Sequence, residues 1–162
     1  MTWVRSTSRA RIEIRAEARA VREFLSDVPR CGRLMPSVRS LEPIGDDVYH
    51  YVLEEFSNGT VSLAPDYETR FDLTDPAAIR WEPHGEHNFR SWGVFATREG
   101  AGPGETVLEI DTHADADLQV PTVMVPLVGP FANKSSAEVT KGFLDRIKAA
   151  VEQTAAVDGG RG

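Results

Sequence analysis

Between Val38 and Leu118 five clusters of turn-forming residues cut the chain into short segments, and beyond Leu118 it runs into one long helix-like tail. Segments this short suit strands joined by hairpins, so the pattern predicts a single antiparallel sheet followed by a C-terminal helix. The tightest cluster is Ser57-Asn58-Gly59-Thr60, where Asn-Gly can supply the two positive φ values of a two-residue type I′ turn. The others are Gly45-Asp46-Asp47, Asp75-Pro76-Ala77, His84-Gly85-Glu86-His87-Asn88 and Gly100-Ala101-Gly102-Pro103-Gly104, all rich in residues that bend the backbone or satisfy it locally. Six consecutive strands connected this way form a meander.

Ahead of the meander, Ala10, Ile12, Ile14 and Ala16 alternate with Arg9, Arg11, Glu13 and Arg15, a period of two that buries one face of a strand. From Glu17 the period changes: Val21, Phe24, Leu25 and Val28 fall at helical spacing, and Pro29 ends the pattern. Arg30 to Pro36 is expected to turn once more. After the meander, Val120 to Phe131 is apolar on every side and holds Pro121, Pro126 and Pro130. A proline inside a helix removes a hydrogen bond and clashes with the preceding turn, which predicts a kinked or loop-like approach to the helix. Ala132, Val139, Phe143, Ile147 and Val151 then form a one-sided apolar stripe, an amphipathic helix of about five turns. Asp158 to Gly162 has too little apolar content to order itself.

Composition narrows the function classes. The 162 residues suit one domain, and 41% hydrophobic content can build its core. A net charge of −7 argues against a nucleic-acid partner, which would require a basic footprint. Cys31 is the only cysteine, so neither a disulfide framework nor a cysteine-based zinc site is expected. Without a signal-type h-region or a run of about 20 apolar residues, a soluble cytoplasmic protein is expected. No nucleophile elbow, phosphate loop or dinucleotide fingerprint occurs, and Gly100 to Gly104 lacks the lysine and helix of a phosphate loop, so no cofactor is expected.

The order of strand, short helix, six-strand meander and long helix resembles the START-like superfamily, also described as polyketide cyclase/dehydrase and lipid-transport proteins, or SRPBCC. Phe24-Leu25-Ser26-Asp27-Val28, Met35-Pro36 and Leu41-Glu42-Pro43-Ile44-Gly45 carry the resemblance, which extends over nearly the whole chain. It is nearest to small bacterial members similar to coenzyme Q-binding proteins and to an accessory protein of carbon monoxide dehydrogenase. Arg30 to Leu34 departs from relatives in lacking the aromatic residue often found there. The resemblance implies an α+β helix-grip fold over residues 1–154, a curved antiparallel sheet wrapped around a long C-terminal helix, with 155–162 a disordered tail. It also implies a cavity between sheet and helix for a hydrophobic small molecule such as a lipid, quinone or polyketide. The superfamily includes carriers and enzymes, so the fold alone settles no reaction.

A two-residue turn at Asn58-Gly59 would pair Phe56 with Val61, Glu54 with Leu63, Val52 with Pro65 and His50 with Tyr67. One face then carries Val48, His50, Val52, Glu54, Phe56, Val61, Leu63, Tyr67 and Phe71; the other, with Tyr49, Tyr51, Glu55, Asp66 and Glu68, is more charged. The first face is therefore expected to meet the helix and to place His50, Glu54 and Tyr67 together in an apolar wall. Such a wall suits a greasy ligand with one polar group, and in an enzyme the three would be acid-base candidates for a cyclase or dehydratase. A bulge would exchange the faces, and a Tyr-His pair can also satisfy itself at a rim; both alternatives stay open. Trp81, Phe89, Phe95, Met124, Leu127 and Phe131 complete the candidate lining. Around Trp92 the strand is apolar on both faces, which leaves its orientation open.

Two clusters suggest metal chemistry. His113, Asp115 and Asp117 share one side of a strand, but Leu108, Ile110, Thr112, Ala114 and Ala116 make the better inward face, so a solvated acidic face is the preferred reading. His84 and His87 flank a turn without a third ligand, and no metal site is expected. Val120 to Phe131 is expected to form either a lip over the cavity, touching a membrane or a partner enzyme while ligand passes, or a buried loop sealing the end of the core; solvent exposure distinguishes the two.

Overall fold

The computed structural model describes the backbone of residues 2–159. Within it the elements run β1 (Trp3–Ile14), α1 (Ala18–Ser26), α2 (Val28–Gly32), β2 (Val38–Gly45), β3 (Val48–Leu53), β4 (Phe56–Ser57), β5 (Ser62–Leu63), β6 (Asp66–Asp72), β7 (Ala78–His84), β8 (Phe89–Glu99) and β9 (Thr106–Asp117). A 3₁₀ turn at Thr122–Met124 then leads into α3 (Val125–Gly159). Seven strands pair in the order β1-β9-β8-β7-β6-β3-β2, every neighbour antiparallel, and β4 and β5 form a separate ribbon. The six strands of the expected meander are thus β2, β3, β6, β7, β8 and β9, with β1 returning beside β9. With the long α3 this is an α+β helix-grip arrangement.

The most regular pairing is β1 with β9, unbroken from Trp3 opposite Asp117 to Ile14 opposite Thr106. An edge strand exposes unpaired backbone groups, and α3 covers this one. Asn133 Oδ1 accepts from Thr7 N (3.1 Å), Glu152 Oε1 accepts from Arg15 N (2.8 Å), and Lys148 Nζ donates to Glu13 O (2.6 Å). Below that seam the C-terminal half of α3 closes a solid core, where Phe143, Leu144, Ile147 and Val151 pack with Ile14, Val21, Leu25, Phe95, Leu108 and Ile110. Each fully buried aliphatic side chain there contributes roughly 1.5–3 kcal/mol relative to exposure.

Four expectations change. The turn after β4 is wider than two residues: Asn58 N donates to Val61 O (3.1 Å), while Asn58 Oδ1 accepts from Thr60 N (2.9 Å) and Val61 N (2.8 Å). Only Gly59 of this turn takes positive φ, at 88°. The ribbon pairs Phe56 with Leu63, and the main ladder pairs Tyr51, not His50, with Tyr67. A one-residue slip in a period-two strand exchanges its faces, so Tyr51 and Leu53 point inward. The irregularity begins where Pro65, which lacks an N–H, meets the end of β3: Leu53 N donates to Pro65 O (2.9 Å), and Glu54 N turns away to Ser37 O (2.7 Å).

The first strand starts at Trp3 rather than Arg9, because Ser6 and Ser8 occupy inward positions that carry no apolar signal. The last helix begins at Val125 and measures about 52 Å at 1.5 Å per residue, about twice the expected length. Pro126 falls in its first turn, where a missing N–H costs nothing, and Pro130 alone lies inside. The same helix continues to Gly159, past the boundary expected at 154; residues 160–162 of the expected tail lie outside the described residues.

Candidate functional site

A cavity of about 180 Å³ lies between the sheet and the N-terminal half of α3. It exists because its two walls are built from side chains of different size. The β3, β6, β7 and β8 wall carries Tyr51, Tyr67, Phe71, Trp81, Phe89 and Phe95. Facing it are Ser6 of β1, Thr112, Ala114 and Ala116 of β9, and Ala132, Ser135, Ser136 and Thr140 of α3. Apart from Phe131 and Val139 of α3, the side chains facing the aromatic wall on β1, β9 and the start of α3 are too short to fill the space. Further along the same helix Phe143 and Ile147 reach across, and there the space is filled.

The aromatic wall is held by ring against ring. Tyr51 and Tyr67 meet edge to face at 5.2 Å, Tyr67 and Phe89 lie 4.8 Å apart, and Trp81 packs 5.2 Å from Phe95. Trp81 also donates its Nε1–H to Ser91 Oγ (3.0 Å). Its register partner is Gly93, where a Cβ would stand 2.7 Å from Trp81 Cζ2 and 2.4 Å from Asp111 O. That glycine allows the indole to lie flat against the strand.

Among the described residues no Asp, Glu, Lys, Arg or His lines the cavity. Its titratable groups are Cys31, Tyr51 and Tyr67. Burial pushes the Cys31 thiol up, and it raises both phenols, Tyr51 with a further push from the neighbouring Tyr67 and Cys31. All three are therefore neutral near pH 7. The hydroxyl of Thr69 beside Tyr51 acts on that phenol in the opposite, weaker sense, yet Thr69 Oγ1 is buried without a hydrogen bond of normal geometry. Tyr51 Oη lies 3.4 Å from where a Cβ on Gly32 would stand, so this polar corner sits between β3, β6 and α2.

Of the residues expected to line the cavity, Phe56, Tyr67, Phe71, Trp81, Phe89, Phe95 and Phe131 do so. His50, Val52, Glu54, Met124 and Leu127 do not. His50 points to the opposite face and its Nε2 meets Asp66 Oδ1 at 2.6 Å. Glu54 is exposed beyond the end of β3, and Leu127 is 69% exposed. The trio of His50, Glu54 and Tyr67 is therefore never assembled, a direct result of the register slip. Tyr51, Thr69, Cys31 and the hydroxyl-bearing small residues were missed. The signal for Tyr51 was Pro65, whose missing N–H disfavours the regular ladder that would have turned Tyr51 outward.

Trp92 faces outward, stacked on His113 (5.5 Å, 13°) with the Arg5 guanidinium 5.2 Å from its ring. Arg5 also holds Asp115 through two bonds of 2.9 and 3.2 Å. The acidic face of β9 is thus paired rather than simply solvated, and Asp115 and Asp117 are both buried. Glu68 approaches His87 (3.5 Å) and His84 (4.0 Å), but among the described residues no group of three ligating side chains is arranged to hold a metal ion. Nor is any helix of those residues long and apolar enough to cross a membrane.

No protein-family model matches the chain, and no curated protein matches it in sequence. Solved structures do. A START superfamily protein from Mycobacterium smegmatis is 17% identical over 91% of this chain and 98% of that one, with a TM-score of 0.70. The Zhui aromatase/cyclase from Streptomyces sp. R1128 is 18% identical over 94% of each chain, at a TM-score of 0.62. A point mutant of norcoclaurine synthase from Thalictrum is 15% identical over 95% of this chain and 98% of that one, at 0.63. At such identities the likeness speaks for the fold, and the fold of this chain is START-like: a curved antiparallel sheet gripping its C-terminal helix.

Proposed function

We propose that the protein binds a hydrophobic small molecule in the cavity between the sheet and α3, as a carrier or accessory binding protein. The observation that supports this is the cavity itself: about 180 Å³, walled by aromatic rings on one side and mostly short side chains on the other, where Phe131 and Phe143 of α3 also reach it, with a few neutral polar groups. General acid-base catalysis needs a group that titrates near the working pH, and the titratable groups here are held neutral well above it. Two neighbours of the fold are named as enzymes, an aromatase/cyclase and norcoclaurine synthase. The uncharged lining of this cavity favours binding over their kind of activity.

Exchange would take place near the start of α3. Val123 and Leu127 are exposed there, while Val128 between them and the body packs on Val4 and Val61. The test is native mass spectrometry of the purified protein, followed by organic extraction and by titration with the neutral fluorophore 1-aminoanthracene. A retained molecule or one equivalent of bound probe, displaced by the extract, is expected. Empty protein that binds no probe overturns the reading.

A further inference from the structure

Building on that reading, we propose that the ligand is a small, electrically neutral aromatic molecule, anchored through a hydroxyl or carbonyl oxygen at Tyr51 and Thr69 and rejected when ionised. Three independent observations lead there. First, the lining offers no counter-ion. A carboxylate or ammonium moved from water into such a site keeps almost none of its solvation, and nothing in the wall replaces it.

Second, the polar corner is incomplete. Thr69 is 1% exposed and, although the Tyr51 hydroxyl lies beside it, its Oγ1 makes no hydrogen bond of normal geometry, a condition that buried hydroxyls seldom tolerate. A threonine hydroxyl can donate one bond and accept others, and the Tyr51 hydroxyl can do the same. A single ligand oxygen placed between them satisfies Thr69 without bringing in charge.

Third, size and wall chemistry agree. An apolar cavity of about 150 Å³ is known to accommodate benzene, and this one is slightly larger, at about 180 Å³. Flat rings suit walls made of Tyr67, Phe71, Trp81 and Phe89, whose faces and edges offer offset and edge-on contacts. A long ionised lipid meets neither condition.

Calorimetric titration at pH 7 with four probes tests the proposal: 2-naphthol, naphthalene, 2-naphthoate and decanoate. Naphthol is neutral at this pH and the two carboxylates are ionised. Naphthol should bind at least about 30-fold more tightly than naphthoate, given the cost of burying an unpaired charge. Tyr51→Phe and Thr69→Val should each weaken naphthol about five- to tenfold, the range of one hydrogen bond, and leave naphthalene unchanged. Both variants keep side-chain shape, and their melting curves check that they fold. Equal affinity for naphthol and naphthoate overturns the proposal, as does naphthol binding that ignores both substitutions. Decanoate bound in preference to either ring compound overturns it while leaving the carrier reading standing. Failure of every probe, 1-aminoanthracene included, overturns both.

Discussion

Two tryptophans a short distance apart on the same sheet have opposite surroundings. Trp81 faces inward, packed on Phe71 and Phe95 with Gly93 beneath it; Trp92 faces outward between the Arg5 guanidinium and the His113 ring. The inner indole is fixed by shape, because its neighbours are rings and backbone that cannot move aside. The outer one is fixed by charge and stacking among side chains that solvent can replace. A single sheet thus separates two kinds of stabilisation, rigid packing on the concave side and exchangeable ionic and π contacts on the convex side. The cavity belongs to the rigid kind, which is what a preformed binding site requires.

The sharpest way to break this contrast is to substitute adjacent positions on the two faces. Gly93→Ala would drive a Cβ to 2.4 Å from Asp111 O and 2.7 Å from the Trp81 ring, with backbone on one side and a packed indole on the other. We expect a loss of about 3 kcal/mol, read from the urea midpoint. Trp92→Ala removes a cation-π contact and a stacked ring at the surface and should cost about 1 kcal/mol. Equal losses at the two positions would contradict the division between faces.

Alkaline pH acts on the inner face next. The folded-state pKa values of Cys31, Tyr51 and Tyr67 are raised above reference values of 9.0, 10.0 and 10.0. A raised value means that the stability these groups contribute is fully present below the unfolded pKa and is lost as pH rises toward the folded one. Melting temperature should hold up to about pH 9 and then fall, as the unfolded chain ionises groups that the folded chain keeps neutral. Tyr67→Phe should flatten that fall. An unchanged alkaline limb in this variant would mean that Tyr67 ionises as readily in the fold as out of it.

The two ends of the sheet were not equally legible. Between β8 and β9 the pairing runs without interruption from Phe89 opposite Ala116 to Glu99 opposite Thr106, so the inward set Ile110, Thr112, Ala114 and Ala116 could be read from alternation alone. At the β3 and β6 end, alternation from Asn58-Gly59 was carried through a segment where Pro65 and the Asn58 side chain change the register. The inward face of β6, with Tyr67 and Phe71, agrees with alternation, but on β3 one slipped residue puts Tyr51 in the wall where alternation places His50. The aromatic lining from Tyr67 to Phe95 was legible because large apolar residues are rarely left outside. The rest of the opposite wall was not, since Ser6, Ser135 and Thr140 look in sequence like ordinary surface residues. Small polar side chains on an inward face mark a cavity only once the face is known.

At the polar corner, stability and binding should separate. Thr69→Val keeps the side-chain shape and removes a buried hydroxyl that makes no hydrogen bond of normal geometry, so the empty protein should gain about 1 kcal/mol. A gain in the thermal or urea midpoint, together with weaker binding of a hydroxylated ring, would place Thr69 among residues kept for ligand rather than for the fold. A loss would mean that its oxygen is already satisfied by Tyr51.

The smallest expected effect is at the start of α3, where two neighbouring residues repeat the contrast of the two faces. Leu127 is 69% exposed, whereas Val128 is 2% exposed and packs against Val4 and Val61. Leu127→Glu should shift stability by no more than about 0.5 kcal/mol, as substitutions at exposed positions do. If this end of the helix is where ligand passes, it should still slow transfer of a bound fluorophore to phospholipid vesicles, because a charge then stands where an apolar side chain met the acceptor. Val128→Glu buries that charge and should unfold the segment, which makes it the control for damage to the core. Transfer at the parental rate in a stable Leu127→Glu protein would move the exit away from α3 and toward the β4–β5 ribbon, whose Phe56, Val61 and Leu63 also line the cavity.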